Sequence, residues 1–176
     1  MRGDQMDAQL WKEFWNHAWD SKLHELCCSA YTNKMRRRAR IYSIAVIVVP
    51  AVAACLTPLN TYVPLAGCIV TSLLGILTKV QPLAVQSESE LSKLNEFQEQ
   101  FAKLCANLED LFLSYRLESH VDNLEIKNKL KEYKDISVTI KPQMDKLVRK
   151  VPHPKKLNEQ ANEYANSKFQ TVINNS

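Results

Sequence analysis

Glycine is nearly absent: Gly3, Gly67 and Gly75 are the only ones in 176 residues. A loop that brings several backbone amides up to a phosphate needs clustered glycines, so neither a nucleotide-hydrolysing nor a dinucleotide-binding site fits. Charge is missing in one place only, since no Asp, Glu, Lys, Arg or His falls between Arg40 and Lys79. The five cysteines, Cys27, Cys28, Cys55, Cys68 and Cys105, give no even framework of spaced bridges. They fit reduced thiols in a cytoplasmic setting. Residues 1 to 40 are charged and Trp-rich, unlike a cleaved signal peptide, so the apolar block is expected to be retained. Strand alternation is also lacking, because Ser137-Val-Thr-Ile140 is the only β-like run and is too short to support a sheet.

The rest of the chain is polar enough that mean hydropathy stays at -0.28 despite the uncharged block. A helix needs about 20 residues, and at least about 17, to cross ~30 Å of hydrocarbon, so the block holds two minimal spans, Ile41 to Leu56 and Thr61 to Thr78. Thr57-Pro-Leu-Asn60 supplies turn formers between them, and Pro64 suits the first turn of the second helix. Tyr42 and Tyr62 sit near the span entries, as rings with a polar tip do at an interface. Arg36, Arg37, Arg38 and Arg40 before the first span and Lys79 after the second set the orientation, with no charge in the turn. The expectation is an all-α membrane protein of the bacterial inner membrane with both termini cytoplasmic. Its parts would be an amphipathic helix with a basic entry cluster over 1–40, a transmembrane helical hairpin over 41–80 and a cytoplasmic helical or coiled-coil region over 81–176. The competing arrangement buries the hairpin in a soluble bundle, although soluble cores of this size rarely lack every charge across two helices.

Ahead of the block, Trp11, Phe14, Trp15, Ala18, Trp19, Leu23, Leu26, Cys27, Ala30 and Tyr31 recur at steps of three and four, one apolar helix face. That face could lie on an anionic leaflet or pack on other helices of the chain. Behind the block, Ser87 and Glu90 resemble a capping box opening a long helix. Leu94, Phe97, Phe101, Leu104, Leu108, Leu111 and Tyr115 then form a heptad seam, able to serve oligomerisation or an internal bundle. Residues 88 to 125 hold nine acids and three bases, whereas 127 to 156 hold ten bases and three acids. Opposite charge fits an antiparallel pair with a turn around Ser119 to Asn123, against a single long rod. Pro142, Pro152 and Pro154 break the last third of the chain into short pieces, and Leu157, Ala161, Tyr164, Ala165, Val172 and Ile173 give a final amphipathic stretch.

Chemistry-bearing clusters are sparse. His24, Cys27 and Cys28 lie close together but lack the second ligand pair of a closed zinc site. His17, His24, His120 and His153 stand apart from any recognisable nucleophile, so neither an enzyme, a cofactor nor a metal is expected. No aromatic platform interleaves the basic run, which makes nucleic acid a poor partner. Gly67, Thr71 and Gly75 fall four apart and would let another helix approach closely, from the same chain or another subunit. Pro50 removes the amide that would bond the Val46 carbonyl, giving either a hinge or a static bend.

A Trp-bearing helix with Trp11, Trp15, Lys22, His24 and Tyr31, the entry Arg36-Arg37-Arg38-Ala-Arg40, a two-span hairpin and a long helix behind it together resemble the SLATT family over roughly residues 8 to 135. These are two-transmembrane effector modules found beside nucleotide-making or nucleotide-sensing proteins in bacterial conflict systems. The resemblance implies a membrane effector in anti-phage defence, held inactive until a cytoplasmic, nucleotide-derived signal drives oligomerisation, pore formation or membrane disruption, and cell death or growth arrest. A nucleotidyltransferase or nucleotide-sensing protein, the lipid bilayer and further copies of the chain are the implied partners. The alternative function is a non-enzymatic membrane anchor and helical scaffold that recruits a cytoplasmic partner.

Overall fold

The computed structural model describes residues 8–56, 67–70, 72–73, 75–76, 86–117 and 123–169, and no strand occurs among them. The named helices are α1 (Ala8–Leu56), α2 (Glu88–Leu117), α3 (Asn123–Leu147) and α4 (Pro154–Phe169). The chain divides into two compact units, one of Met1–Tyr31 with Ser92–Ser176 and one of Thr32–Leu91.

In the first unit the core draws on every helix: Leu10, Phe14 and Ala18 of α1, Leu108, Leu111 and Phe112 of α2, Ile126 and Leu130 of α3, and Phe169 of α4. The residues spaced three and four apart at the start of α1 therefore pack on the other helices of the chain. α2 and α3 run antiparallel, since Leu108 and Leu111 share a core with Ile126 and Leu130 while Gln100 lines a groove with Ile136 and Ile140. Two antiparallel helices replace the single rod, and the expected turn around Ser119 to Asn123 lies, apart from Asn123, outside the described residues. Ser137 to Ile140 is helical, and so is Pro142, which lies inside α3 instead of ending it. Its missing amide leaves the carbonyl of Val138, a residue open to solvent, where water can take the bond.

In the second unit the capping box forms: the Ser87 hydroxyl accepts from the Glu90 amide at 3.3 Å and the Ser87 amide donates to the Glu90 carboxylate at 3.0 Å. Pro50 lies within the uninterrupted helical run of α1. Ile41, Ile44, Ile47, Val48 and Val52 are large apolar residues left open, and so are Ile69, Leu73 and Ile76.

The transmembrane architecture and the inner-membrane placement are corrected here. No helix among the described residues is long and apolar enough to cross a membrane. The described apolar stretch of α1 runs from Ile41, after the exposed arginines, to Leu56, fewer than the about 17 apolar residues that a span needs. The expected turn at Thr57 to Asn60, Tyr62, Pro64 and Lys79 lie outside the described residues.

Candidate functional site

Two regions hold the residues that the sequence singles out. The first is the contact surface between α4 and the rest of the first unit. Along α4 the buried residues are Leu157, Ala161, Ala165 and Phe169, a step of four that lays one stripe on the bundle. Phe169 is completely buried, stacked at 6.5 Å from Phe14 and edge-on at 4.9 Å to Phe112. Trp11 Nε1 donates to the Phe169 carbonyl at 2.6 Å and Trp15 Nε1 to Asn166 Oδ1 at 3.0 Å, so both indoles grip the end of α4. An orphan carbonyl in the last turn of a helix is thereby satisfied by a side chain.

Beside this aromatic contact sits a polar group of side chains. The Tyr164 hydroxyl donates to Glu109 Oε1 and Lys168 Nζ to Glu109 Oε2 at 2.9 Å, while Lys22 lies 4.9 Å over the Tyr164 ring. Burial by itself pushes the Glu109 carboxyl up, but the hydrogen bonds from Tyr164 and Lys168 and the nearby lysines outweigh it and hold it below its ordinary value. Tyr164 is pushed well up, first by burial and then by the carboxylate it bonds. Burial also carries the Cys28 and Cys105 thiols to about 12, so neither is poised as a nucleophile at neutral pH.

His24 stacks on Phe101 at 5.1 Å, with Nδ1 at 2.5 Å from the Asp20 carbonyl, and Asp20 also takes Lys141 at 3.4 Å. Cys27 and Cys28 are buried next to it. Among the described residues no three potential ligands gather around a point that a metal could occupy. His17 is drawn below its ordinary value by burial and by Lys134. An open groove of about 550 Å³ between α2 and α3, lined by Gln100, Lys131, Asp135 and Ile140 among others, presents mixed charge and no convergent set of donors.

The seam of α2 faces its own chain. Leu94, Phe101, Leu104, Leu108 and Leu111 are buried, while Phe97 and Tyr115 are half-buried. Leu124, at the start of α3, is exposed. Glu109, Lys168 and Phe169 carry the α4 contact without standing out in the sequence. The step of four from Leu157 is the signal that reaches Phe169, whereas nothing local marks Glu109.

The second region is the far part of α1. Arg36, Arg37, Arg38 and Arg40 stand ahead of it, the first three and the last separated by the half-buried Ala39, and all four arginines are exposed. Ile41, Ile44, Ile47, Val48 and Val52 follow at steps of three and four, which places them on one face, and they are 58, 54, 71, 47 and 50 % exposed. Tyr42, Ala45, Val46 and Pro50 on the other side are half-buried. At Gly75 an added Cβ would meet nothing within 4 Å among the described residues, so no close helix approach is seen there; Thr71 lies outside them. Comparison with protein families, curated proteins and solved structures finds no match.

Proposed function

We propose that the chain is a non-enzymatic helical scaffold that recruits a protein partner through the far part of α1. The carrying observation is the open apolar face of Ile41, Ile44, Ile47, Val48 and Val52, directly preceded by the exposed Arg36, Arg37, Arg38 and Arg40. Monomeric proteins rarely leave large apolar side chains contiguous and open, and such patches mark interaction sites. The first unit buries a core drawn from all four helices, which suits a rigid carrier, and its open apolar residues Leu113, Leu124, Ile136 and Val138 are not preceded by such a run of arginines. The basic cluster beside the patch favours a partner with an apolar centre rimmed by acidic groups, since rim charge steers association. What is left of the resemblance to the SLATT family once the two spans are set aside, the Trp-bearing helix with Trp11 and Trp15 and the cluster of Arg36, Arg37, Arg38 and Arg40, supports a setting in bacterial conflict systems, with a nucleotidyltransferase or nucleotide-sensing protein as the class of partner. Pore formation loses its support together with the transmembrane spans.

A photo-reactive amino acid placed at Ile47 of the full chain in cells tests this reading. The expected result is one discrete adduct with a single other protein, lost when Arg36, Arg37 and Arg38 become glutamate. That protein, purified, should bind the native chain at least about ten times more tightly than the Ile44→Ser, Ile47→Ser variant. Adducts with lipid alone, or with a second copy alone, would overturn it.

A further inference from the structure

α4 joins α3 only through the stretch from Val148 to His153, and its tertiary bonds are to residues far away in the chain. Trp11 and Trp15 reach it from α1, and Glu109 from α2. None of those bonds requires α4 to belong to the same chain as the groove it fills.

The connection itself reads Val151-Pro152-His153-Pro154. Proline disfavours the helical region for the residue before it and pushes that residue towards extended backbone, so Val151 and His153 both prefer an open hinge. Pro154 opens α4, where its fixed φ and missing amide cost nothing, and the residue ahead of a helix is ordinarily extended as well. His153 instead stands at φ 49°, the one non-glycine residue with positive φ among those described. L side chains rarely adopt that conformation. Folding α4 back onto its own bundle therefore bends the hinge against two local preferences, and straightening it relieves both. A terminal helix held by ordinary side-chain contacts and a hinge that prefers to be open are the ingredients of segment exchange between identical chains.

We propose that α4 exchanges between two copies of the chain, each copy seating its own α4 in the α1–α2–α3 groove of the other. Both copies keep the Phe14, Phe112 and Phe169 cluster, the two indole bonds and the Glu109 pairs. Only the hinge changes, from bent to extended. Closure within one chain has the advantage of a high effective concentration, so the bend at His153 is what lets a second copy compete.

The full chain is the test material, with mass read by light scattering after size exclusion. Deleting Arg149 to Pro152 removes the length needed to fold back and should give a dimer with native helicity, whereas a well-folded monomer would overturn the proposal. Should that deletion not fold, two charge variants decide the matter. Glu109→Lys alone sets two ammonium groups against each other in the groove, and Lys168→Glu alone sets two carboxylates there. In a dimer that exchanges α4 between one chain of each kind, one groove holds the original carboxylate–ammonium pair and the other holds the same pair reversed, whereas each chain closed on itself keeps its two like charges. Warming the mixture at high concentration and cooling it should enrich the mixed dimer several-fold over either chain alone. His153→Gly, which accepts φ 49° freely, should cut the dimer fraction of the annealed native chain several-fold. A mixture that stays as two monomers, or a dimer indifferent to both His153→Gly and the charge pairing, would overturn the exchange.

Discussion

α1 passes through two environments, and the contrast between them shows how spacing differs from composition. In its first part, large apolar residues alternate with charged ones, so a single face is sticky and the other helices of the chain cover it. Phe14 and Leu10 end up with essentially no exposed surface. In its last part the residues are more apolar still, yet Ile47 is 71 % exposed. Burial follows from having a complementary face within the chain, and the patterned first part of α1 has one in the other helices of its unit.

The largest effect should come from cutting into the covered part. Phe112 touches both Phe14 and Phe169, so Phe112→Ala leaves a cavity at the centre of the aromatic cluster and should cost about 3 to 5 kcal/mol in chemical denaturation. Ile47→Ser, a change on the open face, should stay within about 0.5 kcal/mol. Comparable losses from the two variants would erase the contrast, because the open face would then be packed in the folded protein.

A smaller effect should appear at the polar edge of the same cluster. Glu109→Gln keeps the shape and removes the charge that Tyr164 and Lys168 serve. Hydrogen bonds to a charged group contribute about 1.5 to 3 kcal/mol, and the half-exposed lysine places this one near about 1 to 2 at pH 7. The carboxyl titrates lower in the folded chain than its ordinary value of 4.5, so its contribution is complete above that pH and is lost as pH falls through the folded value. Melting curves of native and Glu109→Gln chains should therefore converge below pH 4.5. A constant gap down to strong acid would mean that the carboxylate charge does not hold α4.

Helical content, the α2 seam, the antiparallel pairing with α3 and the capping box are legible in the sequence because each rests on short-range spacing or on a charge imbalance visible along the chain. The membrane reading rests on composition alone, and a lack of charge between Arg40 and Lys79 does not by itself make a helix long and apolar enough to cross a membrane; none occurs among the described residues. Pro142 suggests a break, although a proline is tolerated where the carbonyl it orphans faces water. The grip of Trp11 and Trp15 on α4 is out of reach, because bonds spanning almost the whole chain are set by how four helices pack, and no local pattern encodes them. Spacing identifies the seam residues but not the surface that covers them: a heptad fits an internal bundle and a second subunit equally well.

The smallest effect sharpens the comparison from the second unit, where the capping box is an ordered polar feature beside much open apolar surface. Ser87→Ala removes the acceptor of the Glu90 amide, leaving one of the orphan donors of the first turn of α2 to water. Loss of such a cap costs about 1 kcal/mol, and the exposure of Ser87 places this one at or below that figure. Ser87→Asp should restore it, since a carboxylate accepts the same bond and suits the positive end of the helix dipole. Hydrogen exchange gives the local readout: the Glu90 amide should lose protection in the alanine variant and regain it in the aspartate variant, while the Phe112 amide should slow or quicken only with global stability. If Ser87→Ala cost as much as Phe112→Ala, the start of α2 would be part of one cooperative core with the bundle, and the two regions would not be the separate units that the packing describes.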